Sequence, residues 1–172
     1  MAIRWLRGAV LFVETILFTV IVPGTVTVWI PYEILSGSAQ GISTSWMARQ
    51  YLALVAGTFG AVIYFRCLWD FAVTGRGIPA PVDHPKRLVV RGLYRYVRNP
   101  MYLGVLLILL AESAFFGSST LLMYTAGWFL FVHLVVVLYE EPTLRHKFGA
   151  SYERYTRAVR RWRPGRKYRE TA

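Results

Sequence analysis

Residues 101–139 read MYLGVLLILLAESAFFGSSTLLMYTAGWFLFVHLVVVLY, and Glu112 is the one charged residue among them, with His133 the other polar ionisable group of note. No water-facing element reads this way. Gly117-Ser118-Ser119 breaks the run, and that triplet predicts a tight turn. The two halves, 101–116 and 120–139, should therefore lie antiparallel as a helical hairpin inside a bilayer. The first half is short against the roughly 20 apolar residues that a span needs. It must begin within the interface, or the bilayer must thin around it.

Upstream, 50–73 is a second apolar segment in which Ala53, Gly57 and Ala61, and likewise Ala56 and Gly60, recur every four residues. Small residues at that spacing let helix backbones approach closely. Arg66 and Asp70, four apart near its end, read first as an ion pair at the membrane border. Residues 8–30 form another span, too long and too poor in a small-residue cleavage site for a signal peptide. Pro23-Gly24 should kink it, and Glu14 should face other helices or headgroups. Composition agrees: 55% of residues are hydrophobic and 17% charged, against about 25% charged in a soluble domain. The mean hydropathy is +0.40. The fold class is thus an all-α integral membrane helical bundle, a single membrane domain over 1–172 with about four transmembrane helices and a C-terminal amphipathic helix. Cys67 is the single cysteine, so no intrachain disulfide is possible.

The net charge of +11 would suit nucleic acid, but its distribution does not. Of 20 Lys and Arg, 2 precede residue 8, 6 lie between 74 and 99, and 10 follow 139. They flank apolar runs, as cytoplasmic segments touching anionic lipid headgroups do. An even number of spans then places both termini in the cytoplasm of a multi-pass protein, and nucleic acid is not an expected partner. In the tail, 140–172, Phe148, Tyr152, Tyr155, Val159 and Trp162 make a helical stripe, with Arg154, Arg157, Arg160 and Arg161 mostly off it. Such a helix should rest on the membrane surface, and beyond Pro164 the basic chain should fray.

Chemistry is expected in the loop 74–99 and at the two helix ends it adjoins. The loop is long, rich in Gly and Pro, and long ordered loops tend to be functional. Asn99-Pro100 fits an N-cap and first helical residue. The same geometry offers free backbone N–H groups to a carboxylate or phosphate. Glu140-Glu141-Pro142 either marks the exit of the last span into water or anchors a cationic or hydroxyl-bearing ligand, with Pro142 opening a new helix. In a hairpin, Tyr102 and Glu140 should share one level. A carboxylate and a helix N-terminus facing a common cavity would suit the two ends of an amino-acid-like ligand.

The run Gly92-Leu-Tyr94-Arg-Tyr-Val-Arg98-Asn99-Pro100-Met-Tyr102-Leu-Gly104, followed by Glu140-Glu141 and by Phe148-Gly149-x-x-Tyr152-x-x-Tyr155, resembles the isoprenylcysteine carboxyl methyltransferase and phospholipid methyltransferase superfamily. The resemblance covers about half the chain, from Thr74 to Pro164. It implies a membrane-embedded methyltransferase dependent on S-adenosyl-L-methionine, of the kind found in bacterial inner membranes, that methylates a lipophilic acceptor. By position it implies cofactor binding by Lys86, Arg87, Leu88, Val89, Tyr94, Asn99, Pro100, Met101 and Tyr102, with Glu140 and its neighbour Glu141. Two positions depart from it: Asn99 stands where the family often has His, and Val136 where the prenylcysteine enzymes have a substrate-binding Arg.

Methyl transfer from a sulfonium needs positioning and desolvation more than acid–base help. Arg98 and Tyr102 are the expected catalytic residues, Arg98 to hold an anionic acceptor. Two other functions share the pattern: an NADPH-dependent membrane reductase of related fold, for which Arg87, Arg91 and Arg95 would serve the extra phosphate, and a non-catalytic membrane subunit. Glu112 and His133 are intramembrane ionisable groups; for His133 a packing hydrogen bond is the preferred reading. His84, His146 and Cys67 lack metal-site spacing, and no metal is expected.

Overall fold

The computed structural model describes residues 17, 19–37, 46–74, 88 and 90–169, without the side chains of 71–74. All regular structure among these residues is helical. Helix α1 covers Thr19–Ser36, α2 Ala48–Thr74, α3 Pro100–Phe116, α4 Ser119–Val135 and α5 Glu141–Ala158. A 3₁₀ turn, Gly92–Arg95, precedes α3. Helices α1 and α2 and the run containing α4 are long and apolar enough to cross a membrane, while α3 is apolar but, at 17 residues, one residue shorter than α1. Large apolar side chains face outward: Leu52 is 70% exposed, Met123 76% and Leu138 71%. That surface is stable only against lipid, so the molecule is an integral membrane helical bundle.

Helices α2 and α3 pack backbone to backbone. A Cβ built on Gly60 would lie 2.7 Å from the Gly104 carbonyl oxygen, and one on Gly104 would lie 2.8 Å from that of Gly60. No side chain fits there, and the small-residue spacing of α2 is what permits the approach. Gly104→Leu should cost about 1–3 kcal/mol through overpacking, read as a lowered thermal midpoint in detergent. An unchanged midpoint would mean that the two helices do not touch at this level. Tyr64, Val105 and Leu109 form the core beside the crossing, with Val26, Met101 and Trp128 packed around them. Helix α1 joins through Tyr64, which donates to Thr19 Oγ1 at 3.3 Å, and Tyr124, which donates to the Val26 carbonyl at 3.0 Å. Ser113 and Thr125 share a buried hydrogen bond of 3.3 Å between α3 and α4. The turn joining those helices forms as expected, with Gly117 at φ 64 ending α3 and Ser118 accepting from Leu121 N to cap α4.

Two boundaries differ from the sequence expectation. The first apolar helix does not stop at Ile30 but continues to Ser36; residues 8–16 of that expected span, Glu14 included, lie outside the described residues. The fourth does not stop at Tyr139, because the chain stays helical from Ser119 as far as Phe148. Both extensions pass a proline, and both use one device. A π turn, Thr25–Trp29, ends one residue before Ile30-Pro31, with the Ile30 N–H bonded to the Thr25 carbonyl. Another, Val136–Glu140, ends one residue before Glu141-Pro142, with the Glu141 N–H bonded to the Val136 carbonyl. Proline lacks the N–H for its i−4 carbonyl and clashes with that group. Widening the turn before it relieves the clash without breaking the helix. Pro142 therefore does not start a separate helix. The interruption comes later, at Gly149, whose φ of 50° and ψ of −126° are not helical.

Candidate functional site

The site lies where the loop end of α3 meets the end of α4. Tyr102, in the first turn of α3, donates its hydroxyl to Glu140 Oε1. The Tyr102 ring lies edge-on to Trp128 of α4, with centroids 6.5 Å apart. The hairpin thus brings together the two residues expected at one level. The π turn fixes the outcome: by adding a residue to the turn, it sets how Glu140 and Glu141 are directed. Such bulges recur at functional sites. Glu140, half-buried, faces Tyr102; Glu141, buried, faces the tail.

Asn99 stands at the N-cap position of α3, but its side chain does not cap the helix. Its amide instead donates to the Arg161 carbonyl at 3.3 Å. The first N–H groups of α3, those of Met101 and Tyr102, consequently have no side-chain cap. Pro100 is buried, and Met101 packs inward against both neighbouring core clusters. Tyr94 is buried in the 3₁₀ turn against Cys67, and its carbonyl accepts from the Tyr155 hydroxyl at 2.7 Å. Leu88 and Val90 pack on the cluster of Tyr152, Tyr155 and Val159. Lys86, Arg87 and Val89, also expected at the site, lie outside the described residues.

Arg98 is held by its neighbours. Its Nη1 lies 3.0 Å from Glu141 Oε1, and Arg161 forks onto the same carboxylate at 2.6 Å and 2.9 Å. Arg98 Nε is buried with no hydrogen-bond partner among the described residues. Burial alone would raise the Glu141 pKa, but the Arg161 hydrogen bond and the charges of Arg98, Arg161 and Arg145 outweigh it and hold the carboxyl below its usual range. Two cations on one buried carboxylate make a locking cluster between the loop, α5 and the tail. Val136, where the resemblance puts a substrate-binding Arg, is 1% exposed and belongs to the core.

Sequence reasoning missed the tail. Helix α5 ends at Ala158, and the chain then runs back along the loop instead of fraying. Arg98 N donates to the Arg160 carbonyl, Gly165 N to that of Tyr96 and Tyr168 N to that of Arg95, each at 2.9 Å. Trp162 Nε1 donates to His133 Nδ1 at 3.0 Å, and its ring packs on Phe129 with centroids 5.1 Å apart. His133 thus makes a packing bond, but to this strap and not to another span. Pro164-Gly165, a turn signal, was the available clue.

A membrane helical bundle with a carboxylate and an uncapped helix start at one end is the class that fold and site define. The profile of the phospholipid methyltransferase family matches residues 48–151, three-fifths of the chain, and the protein belongs to that family. A Haemophilus influenzae protein described as uncharacterized is 40% identical over 62 residues, which are 36% of this chain and 98% of that one. The protein-S-isoprenylcysteine O-methyltransferase of Schizosaccharomyces pombe is 38% identical over 74 residues, 42% of this chain. The match spans 30% of that enzyme's length. No solved structure matches.

Proposed function

We propose that this protein is a membrane methyltransferase that uses S-adenosyl-L-methionine to methylate a lipophilic acceptor bearing a carboxylate, thiol or amine at the cytoplasmic membrane face. The observation that carries the reading is the Tyr102–Glu140 bond, which ties a carboxylate at the end of α4 to a side chain from the uncapped first turn of α3. The donor set fits the cofactor. Glu140 would take its ammonium group, the N–H groups of Met101 and Tyr102 its carboxylate, and the orphaned Arg98 Nε is a further donor within the same loop. When bound, the cofactor would supply an electrophilic methyl group on a sulfonium sulfur, with the neutral thioether as leaving group once the acceptor lone pair takes the methyl. Tyr102 keeps Glu140 oriented, and Trp128 of α4 packs edge-on against the Tyr102 ring. With Val136 in the core, a carboxylate acceptor lacks the Arg that prenylcysteine enzymes offer. The basic segments around 74–99 and 140–172 support the cytoplasmic orientation.

Membranes enriched in the protein, incubated with methyl-labelled S-adenosylmethionine, should carry label into the organic-soluble fraction. Membranes bearing Glu140→Gln should carry far less. Label that stays in the aqueous phase with both proteins would contradict a lipophilic acceptor.

A further inference from the structure

A second site lies on the other side of α3. Gly104 faces α2, and Tyr102, two residues or about 200° away on a helix of 3.6 residues per turn, faces α4. On the α2 side a cleft of about 240 Å³ opens between Arg66, Gly92, Leu93, Arg95, Tyr96 and Lys167. Its three cations come from three elements: α2, the 3₁₀ turn and the strap. Arg91 stands beside them, its Nε 3.9 Å from Asp70 Oδ1.

Asp70 explains why the cations gather. It is 1% exposed, tucked under Gly92, whose φ of 53° admits no side chain and where a Cβ would run into Asp70 Oδ2. Arg66 Nε lies 4.0 Å from the same oxygen, beyond hydrogen-bond reach, and Oδ2 has no hydrogen-bond partner among the described residues. One buried carboxylate therefore anchors cations without neutralising them, and the cleft keeps a net positive charge. Arg66 also stands at the edge of a lipid-facing band. Val62, Phe65 and Trp69 around it are 58%, 59% and 62% exposed. A ligand here meets guanidinium and ammonium groups at one end and an apolar wall at the other.

We propose that this cleft binds the phosphate of an anionic phospholipid, whose chains lie along Val62, Phe65 and Trp69, separately from the methyl-transfer site. Guanidinium forks match phosphate oxygens, and each cation near an anionic headgroup is worth about fivefold in affinity. The site needs no catalytic residue, so it stands whether or not the methyltransferase reading holds.

The test is titration of the full-length protein in detergent with phosphatidylglycerol, phosphatidylcholine and soluble glycerol 3-phosphate, followed by the thermal midpoint. Phosphatidylglycerol should raise the midpoint saturably and the other two should not. The Arg95→Gln/Lys167→Gln variant should need on the order of twentyfold more phosphatidylglycerol for the same rise. If that variant alone has a lowered midpoint, Lys167→Gln at the exposed strap should still show a rightward shift of about fivefold. Equal stabilisation by phosphatidylcholine, or an unshifted titration in the variants, would overturn the proposal. Equal stabilisation by glycerol 3-phosphate would overturn the lipid as the ligand and leave a free phosphate ester.

Discussion

Glu141→Ala should destabilise the protein by about 3 kcal/mol and release the strap while leaving the spans assembled. The reason is not the loss of one favourable pair. Removing this carboxylate strands two cations, Arg98 at 14% side-chain exposure and Arg161 at 30%. The cost lies at the lower end for a broken buried pair because Arg161 can still turn toward water. The sign of the pH dependence follows from the depressed Glu141 pKa. Its contribution is complete above the unfolded-state value of about 4.3 and is lost as pH falls through the lower folded-state value. The native protein should therefore lose this stability on acidification through that window, and the variant should show a flatter acid limb. Trypsin reports the strap directly, since the bonds after Arg161 and Arg166 should be cut sooner in the variant. Unchanged midpoint and unchanged cleavage would mean that the cluster does not hold the tail.

The second large effect concerns affinity. Glu140→Gln keeps the shape and an acceptor for the Tyr102 hydroxyl but removes the charge. Hydrogen bonds to charged groups are worth about 1.5–3 kcal/mol, so S-adenosylmethionine should bind about 10–100 times more weakly. The thermal midpoint without ligand should hardly move, because the site's packing is intact. Tyr102→Phe should weaken binding less, since it only frees Glu140 to reorient. Undiminished affinity in Glu140→Gln would remove this carboxylate from the site. A collapse of stability would instead make it structural, as Glu141 is.

Local sequence carried the spans because lipid imposes a simple rule: apolar length and small residues at four-residue spacing. Gly60 follows it, and the Gly117-Ser118 turn was legible from its own residues. The same residue-by-residue reasoning erred where it ended the first span at Ile30 and where it let Pro142 open a new helix. The π turns before Pro31 and Pro142 depend on how a widened helix can pack, which no neighbour in sequence reveals. At the site, Tyr102 and Glu140 were legible because hairpin geometry fixes their level. The difference between Glu140 and Glu141 was not legible. Adjacent identical residues diverge only because the turn directs one toward Tyr102 and the other toward Arg98 and Arg161. Arg161 and Trp162 read as surface residues of a helix, but the helix ends before them at Ala158. Their partners, Glu141 and His133, lie 20 and 29 residues away in the chain.

Calorimetric titration of the detergent-purified protein with S-adenosylmethionine, S-adenosylhomocysteine and NADPH in parallel tests the central claim most directly. Saturable binding of the first two, weakened in Glu140→Gln, with no heat from NADPH, is the expected result. Binding of NADPH alone would make the protein a reductase, and binding of none of the three by a monodisperse, folded sample would contradict an enzyme that takes its methyl group at this site.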